Sequence, residues 1–173
     1  MITKPMVYPI RFWAVVLAAL LALYFSSEAI ADSCKYEKDI DLELDLSSSD
    51  ALAVSAGAGS LEITGDPGAS KAVIHGRACA SREEWLEASS IRTKGGSRAE
   101  IAVELPQSNG SWFSWGNNYA HIDLVLEVPA SLKLEVSDSS GSMWLENVGA
   151  VDIRDSSGGI EINGAGGAVT IDD

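Results

Sequence analysis

The chain has 173 residues, with 25 acidic against 12 basic side chains and a formal net charge of -13 at pH 7. A surface of that sign repels nucleic acid and anionic lipid, so neither is expected as a partner. The length suits one domain, and two cysteines limit the chain to one internal disulfide.

Lys4 and Arg11 precede an uncharged run from Phe12 to Phe25, and Ala29-Ile30-Ala31 supplies a small-x-small pattern ahead of Asp32. This is the layout of a secretory signal peptide, so residues 1–31 are set apart and 32–173 are read as a single β-strand-repeat domain. The apolar run is shorter than the roughly 20 residues a membrane-spanning helix needs. Asp32-Ser33 before Cys34 does not fit a lipid-attachment signal. The membrane is therefore expected to matter only during export, to the periplasm, the cell surface or the medium. In such an oxidising compartment Cys34 and Cys79 are expected to bridge, and no C-x-x-C spacing marks them as redox-active. Closing a loop of about 45 residues restricts the unfolded chain by roughly 4 kcal/mol in the chain-entropy model.

Ile40 to Leu46 alternates strictly between apolar and acidic residues and reads as a strand, with a turn at Ser47 to Asp50. Leu52 to Thr64 reads as an early, diverged coil with a glycine corner at Gly59. Asp66-Pro67-Gly68 turns the chain into a strand over Ala72 to Ala78. Ser81-Arg82-Glu83-Glu84 has the form of a capping box and predicts a short helix with Trp85 and Leu86 on its buried side. Ile91 to Lys94 and Ala99 to Leu105 read as a hairpin about Gly95-Gly96. The loop from Pro106 then carries Trp112, Phe113 and Trp115 before a strand over Tyr119 to Val128, which ends at Pro129.

From Leu132 onward the sequence repeats itself. Leu134-Glu-Val-Ser-Asp-Ser-Ser-Gly141 is followed by Val151-Asp-Ile-Arg-Asp-Ser-Ser-Gly158 and by Val169-Thr-Ile-Asp-Asp173, so Asp138, Asp155 and Asp173 recur at offsets of 17 and 18 residues. The extra residue falls in the glycine turn Gly164 to Gly167, where it leaves strand register intact. Leu52 to Gly65 lies over Leu134 to Asn147 without a gap, with Gly59 on Gly141 and Leu61 on Met143. Period-2 alternation points Val136, Met143, Leu145, Val151, Ile153, Ile160, Ile162, Val169 and Ile171 one way and Trp144 with its acidic neighbours the other. The expected fold is all-β: a small β-solenoid of stacked short strands in coils of about 17 residues, with irregular N-terminal strands and one short helix.

The early Leu52-x-Val-x-x-x-x-Gly-x-Leu-x-Ile segment, the Ile122-Asp-Leu-x-Leu-x-Val-Pro129 strand and the V/I-x-D-S-S-G coils carry a resemblance. On these residues the chain resembles the bacterial exported "putative adhesin" family of uncharacterised proteins with β-strand repeats. The resemblance implies an architecture and no catalytic motif. Members of that family usually continue through further coils and a terminal cap, so the chain is expected to be a fragment whose open coil ends allow self-association.

Three constellations are candidates for chemistry. Stacked coils place Asp138, Asp155 and Asp173 at about the strand spacing of 4.8 Å. Each Asp closes an Asx-type turn, or the set holds a hard cation such as Ca²⁺; no other cofactor is expected. Trp112, Phe113, Trp115 and Tyr119, with the outward Trp144, suit a sugar ring or a protein partner, or form a lid over the strands. His75 and His121 are too few for a zinc site unless carboxylates assist, and no nucleophile motif accompanies them. The pairs Asp152/Asp155 and Glu146/Glu161 fit solvent-facing side chains better than an acid and a base. The sequence thus points to a non-enzymatic, adhesin-like envelope or secreted surface-interaction module whose partner is a cell-envelope, glycan or protein surface. A carbohydrate-active enzyme on a β-helix and a self-assembling envelope subunit are the alternatives.

Overall fold

The computed structural model describes residues 34–106 and 118–172. Residues 1–31, Trp112, Phe113, Trp115 and Asp173 lie outside the described residues. Alternating apolar and polar positions produce eleven strands: β1 (Tyr36–Asp45), β2 (Ala51–Ala58), β3 (Leu61–Asp66), β4 (Lys71–Ala80), β5 (Ser90–Lys94), β6 (Arg98–Glu104), β7 (Ala120–Pro129), β8 (Lys133–Val148), β9 (Val151–Arg154), β10 (Gly158–Ala165) and β11 (Val169–Asp172). Among the described residues one short helix, α1 (Glu83–Ala88), interrupts them.

The hydrogen-bonded order is β1-β4-β7-β3-β8-β2-β6-β5, with β10 on β8, and β9 between β8 and β11. β1 and β5 approach each other at the ends of this path, so the all-β chain forms a nearly closed, barrel-like sheet. The long strand β8 belongs to both of its halves. Its first part runs parallel to β2 and β9, and its second part runs parallel to β3 and β10.

Segments whose sequences align are neighbours in space. Leu134 lies opposite Val151, Met143 opposite Ile160, and Val151 opposite Val169, which carries the 17- and 18-residue offsets into strand register. Leu52 lies opposite Leu134 and Leu61 opposite Met143. A bulge places Gly57, at φ 81°, against Asp138 and shifts this pairing locally.

The passage from one half of the sheet to the other is made at glycine. Gly59, Gly141 and Gly158 have φ of 122°, 148° and 149°. A Cβ on Gly158 would meet the carbonyl of Gly141, and one on Gly141 would meet the carbonyl of Gly59. The amides join the same stack: Gly59 N donates to Ser140 O and Gly141 N to Ser157 O, each at 3.3 Å. Side chains are thus excluded twice, by the backbone conformation and by the neighbour's backbone.

Both halves turn their apolar side chains onto one core. Leu52, Val54, Ile101, Leu134 and Ile153 come from one half, and Ile63, Ile74, Leu124, Leu126 and Leu145 from the other. Burial fades after β9. Ile160 and Ile162 are half-buried, while Val169 and Ile171 are 43% and 48% exposed despite their alternation.

The helix forms without its expected cap. Arg82, not Ser81, occupies the N-cap position, and no side chain caps the first turn. Ser81 is held instead by the start of β7: its amide donates to Tyr119 O at 2.9 Å, and its Oγ accepts from Tyr119 N at 3.1 Å. The opposite end of α1 is closed by Lys38, whose Nζ donates to Leu86 O and Ser89 O at 3.1 and 2.8 Å. No residue of α1 is fully buried, although Leu86 packs against the core.

Cys34 and Cys79 form a disulfide with Cα atoms 5.4 Å apart, tying the chain before β1 to β4.

Two measurements check this account. In urea unfolding, Gly141→Ala is expected to cost about 2 kcal/mol or more, whereas Gly159→Ala stays within about 0.5 kcal/mol, because a Cβ there meets nothing within 4 Å. Replacing Cys34 and Cys79 together by alanine is expected to lower stability by about 2–4 kcal/mol, with the native far-ultraviolet spectrum retained.

Candidate functional site

The outer face of the sheet half made by β1, β4, β7, β3, the second part of β8, and β10 is organised in rows set by strand register. One row runs Asp41, His75, Val125, Glu62, Trp144, Glu161. The next row, one residue pair along, contains Glu127, Thr64, Glu146 and Asn163. Trp144 therefore stands between Glu62 and Glu161, one strand spacing from each. It is 46% exposed, and Val125 in the same row is 43% exposed.

Charge on this face is compensated only at one side. Across β1 and β4, Glu43 pairs with Lys71 at 2.6 Å and Glu37 with Arg77 at 2.7 Å, while Asp41 Oδ1 and His75 Nδ1 share a hydrogen bond at 2.6 Å. Around Trp144 the pattern stops: among the described residues, Glu62, Glu127, Glu146 and Glu161 have no ion-pair partner. The other half of the sheet differs. There Glu135 accepts from Arg98 Nη2 at 2.7 Å and Lys133 Nζ at 3.0 Å, and Arg92 pairs with Glu104 at 3.0 Å. Hydrogen bonds from Lys133 and then Arg98 hold the Glu135 carboxyl below its ordinary pKa.

At the β1–β4–β7 end of the same row lies an open concavity of about 540 Å³, lined by Asp41, His75 and Val125 of the row together with Asp39, Ser60, Arg77 and Asp123. Asp123 Oδ1 accepts from both the amide and the hydroxyl of Ser60 at 2.8 Å. The Ser60 hydroxyl is thus directed to a carboxylate, and His75 Nδ1 is engaged with Asp41. Neither arrangement is a serine–histidine pair of the kind that activates a nucleophile.

Of the aromatic residues marked in the sequence, Tyr119 and Trp144 are among the described residues, and the two stand apart. Tyr119 shares the outer face but stands six residues before Val125 and two strands from Trp144, about 20 Å away by strand geometry. Its ring stacks on His121 with centroids 6.2 Å apart, and its hydroxyl accepts from Lys35 N at 3.4 Å. The register neighbours of Trp144 are Glu62, which has no mark in the sequence analysis, and Glu161, which appears there only in the pair Glu146/Glu161, with Val125 beyond Glu62. Their signal was present, because the ungapped overlay of Leu52 to Gly65 on Leu134 to Asn147 puts Glu62 on Trp144.

The two described corner aspartates are buried. Asp155 Oδ1 accepts from Ser157 N at 3.3 Å, an Asx-type turn. Asp138 is 4% exposed, and its Oδ1 has no partner among the described residues. Burial raises the Asp138 pKa and the Asp155 charge adds to the rise, while the amides of Ser139 and Ser140 oppose it. Elsewhere the described residues bring Cys34, Cys79 and His121 within 4.8 Å, but both sulfurs are spent in the disulfide and are not thiolate ligands.

Because folding raises the Asp138 pKa, the native state favours its protonated form. The stability it contributes is complete below the unfolded value of about 3.9 and is lost as pH rises through the folded value. In thermal melts from about pH 4 to neutrality the parent is expected to lose stability relative to Asp138→Asn as pH rises.

No family model and no curated protein matches the chain. Among solved structures it is similar to a "putative cell adhesion protein" from Clostridium sporogenes, with 16% identity and a TM-score of 0.44 over 69% of this chain and 57% of that one. The chain thus matches less than two thirds of that structure's length.

Proposed function

We propose that this chain is an exported, non-enzymatic surface-interaction module, adhesin-like in kind, which contacts its partner through the outer face around Trp144. The observation that carries the reading is an exposed indole set in strand register between carboxylates without ion-pair partners, on an otherwise ordered sheet face. Apolar and charged groups left open together on a rigid face have a physical use in binding another surface. The scaffold is a small β-solenoid, a reading supported by the parallel register of β8 with β9 and β10 and of β9 with β11.

The disulfide and the signal-like residues 1–31 support an oxidising location, in the periplasm, on the cell surface or in the medium. Among the described residues no helix is long and apolar enough to cross a membrane.

The test is binding of the purified chain to fractionated cell envelope and to glycan and protein arrays. Trp144→Ala is expected to weaken binding about ten-fold or more while leaving the melting temperature within a degree or two. Unchanged binding by the variant overturns the assignment of the face. Release of reducing ends from a polysaccharide overturns the non-enzymatic reading.

A further inference from the structure

We infer that the Trp144 face takes a cationic polypeptide segment, with a lysine or arginine side chain lying over the indole between Glu62 and Glu161. This rests on the reading of that face as the contact surface and adds the chemistry of the partner. The two carboxylates flank the ring from adjacent parallel strands. Strand spacing puts their α-carbons about 10 Å apart, so a cation centred on the ring is within side-chain reach of both. The indole offers its π face to that cation, and each carboxylate offers a charge-assisted hydrogen bond.

Charge complementarity selects the occupant. Glu37 and Glu43 on β1 and Glu100, Glu104 and Glu135 on the opposite sheet half pair with the chain's own lysines and arginines, whereas Glu62, Glu127, Glu146 and Glu161 do not. With a formal net charge of -13, the molecule repels anionic partners before contact. A neutral glycan stacked on Trp144 would donate hydroxyl hydrogen bonds to these carboxylates but leave their charge uncompensated. The acids also occupy two rows and extend from β7 to β10, about 15 Å across. That is wider than one small cation and suited to an extended chain bearing several. Val125, exposed beside Glu62, gives apolar surface on which a lysine stem can lie.

The experiment is calorimetric titration of the full chain with a peptide of alternating lysine and glycine, its lysine-acetylated form, spermidine, and a neutral glucan oligomer. Binding of the unmodified peptide that weakens with added salt and falls about ten-fold or more in Glu62→Gln/Glu161→Gln is expected. Glu104→Gln, on the other sheet half, is expected to bind as the parent does. Equal binding of the acetylated peptide, or no effect of the double substitution, overturns the inference. Spermidine binding as tightly as the peptide reduces the site to a small-cation site and overturns the polypeptide assignment. Glucan binding that needs Trp144 but not the two glutamates overturns the cationic partner while leaving the contact face standing. If each of these ligands that binds does so equally well to Trp144→Ala, the face itself is wrong.

Discussion

The contact on which the rest of this molecule depends is backbone against backbone, where Gly59, Gly141 and Gly158 lie over one another at the corner of the sheet. Each passes its chain from one sheet half to the other, and each leaves no room for a Cβ beneath its neighbour's carbonyl. The amide bonds Gly59 to Ser140 and Gly141 to Ser157 lock the same stack. Register follows from it. A slip of one residue would exchange Met143 and Leu145 for Trp144 and Glu146 at the core, so the burial of one face and the display of the other rest on one constraint.

That constraint also explains what could be read from the sequence. Glycine at a fixed place in each copy, with alternation on either side, predicts strand neighbours because both features are backbone requirements. The offsets of 17 and 18 residues reappear as pairing partners, and the ungapped match of Leu52 to Gly65 with Leu134 to Asn147 reappears as β2 and β3 beside β8. Side-chain hydrogen bonding was less legible. Ser81 has the residues of a capping box downstream, yet a distant strand offers it two backbone bonds through Tyr119, and local pattern cannot weigh that competitor. The candidate site was visible only in part for a related reason. Trp144 is conspicuous in the sequence, but its carboxylate neighbours come from positions 62 and 161 and are assembled by register alone.

The Cys34–Cys79 bond sits at the far edge from the exposed strands β10 and β11. There β1, β4 and α1 meet, and the amine of Lys38 closes the helix. This side is held by a covalent link, an antiparallel pair and a row of ion pairs. The side bearing Trp144 relies on parallel pairing and the shared core, with its outward carboxylates left to solvent. Covalent and ionic ties are concentrated at one edge, and uncompensated charge lies toward the other.

The unequal neutralisation of the two sheet halves gives the molecule an electric polarity as well as a net charge. On one side acids are matched by Arg92, Arg98 and Lys133, while the other keeps its excess around Trp144. In an external electric field such a molecule turns as well as drifts, because its excess charge lies to one side of its centre.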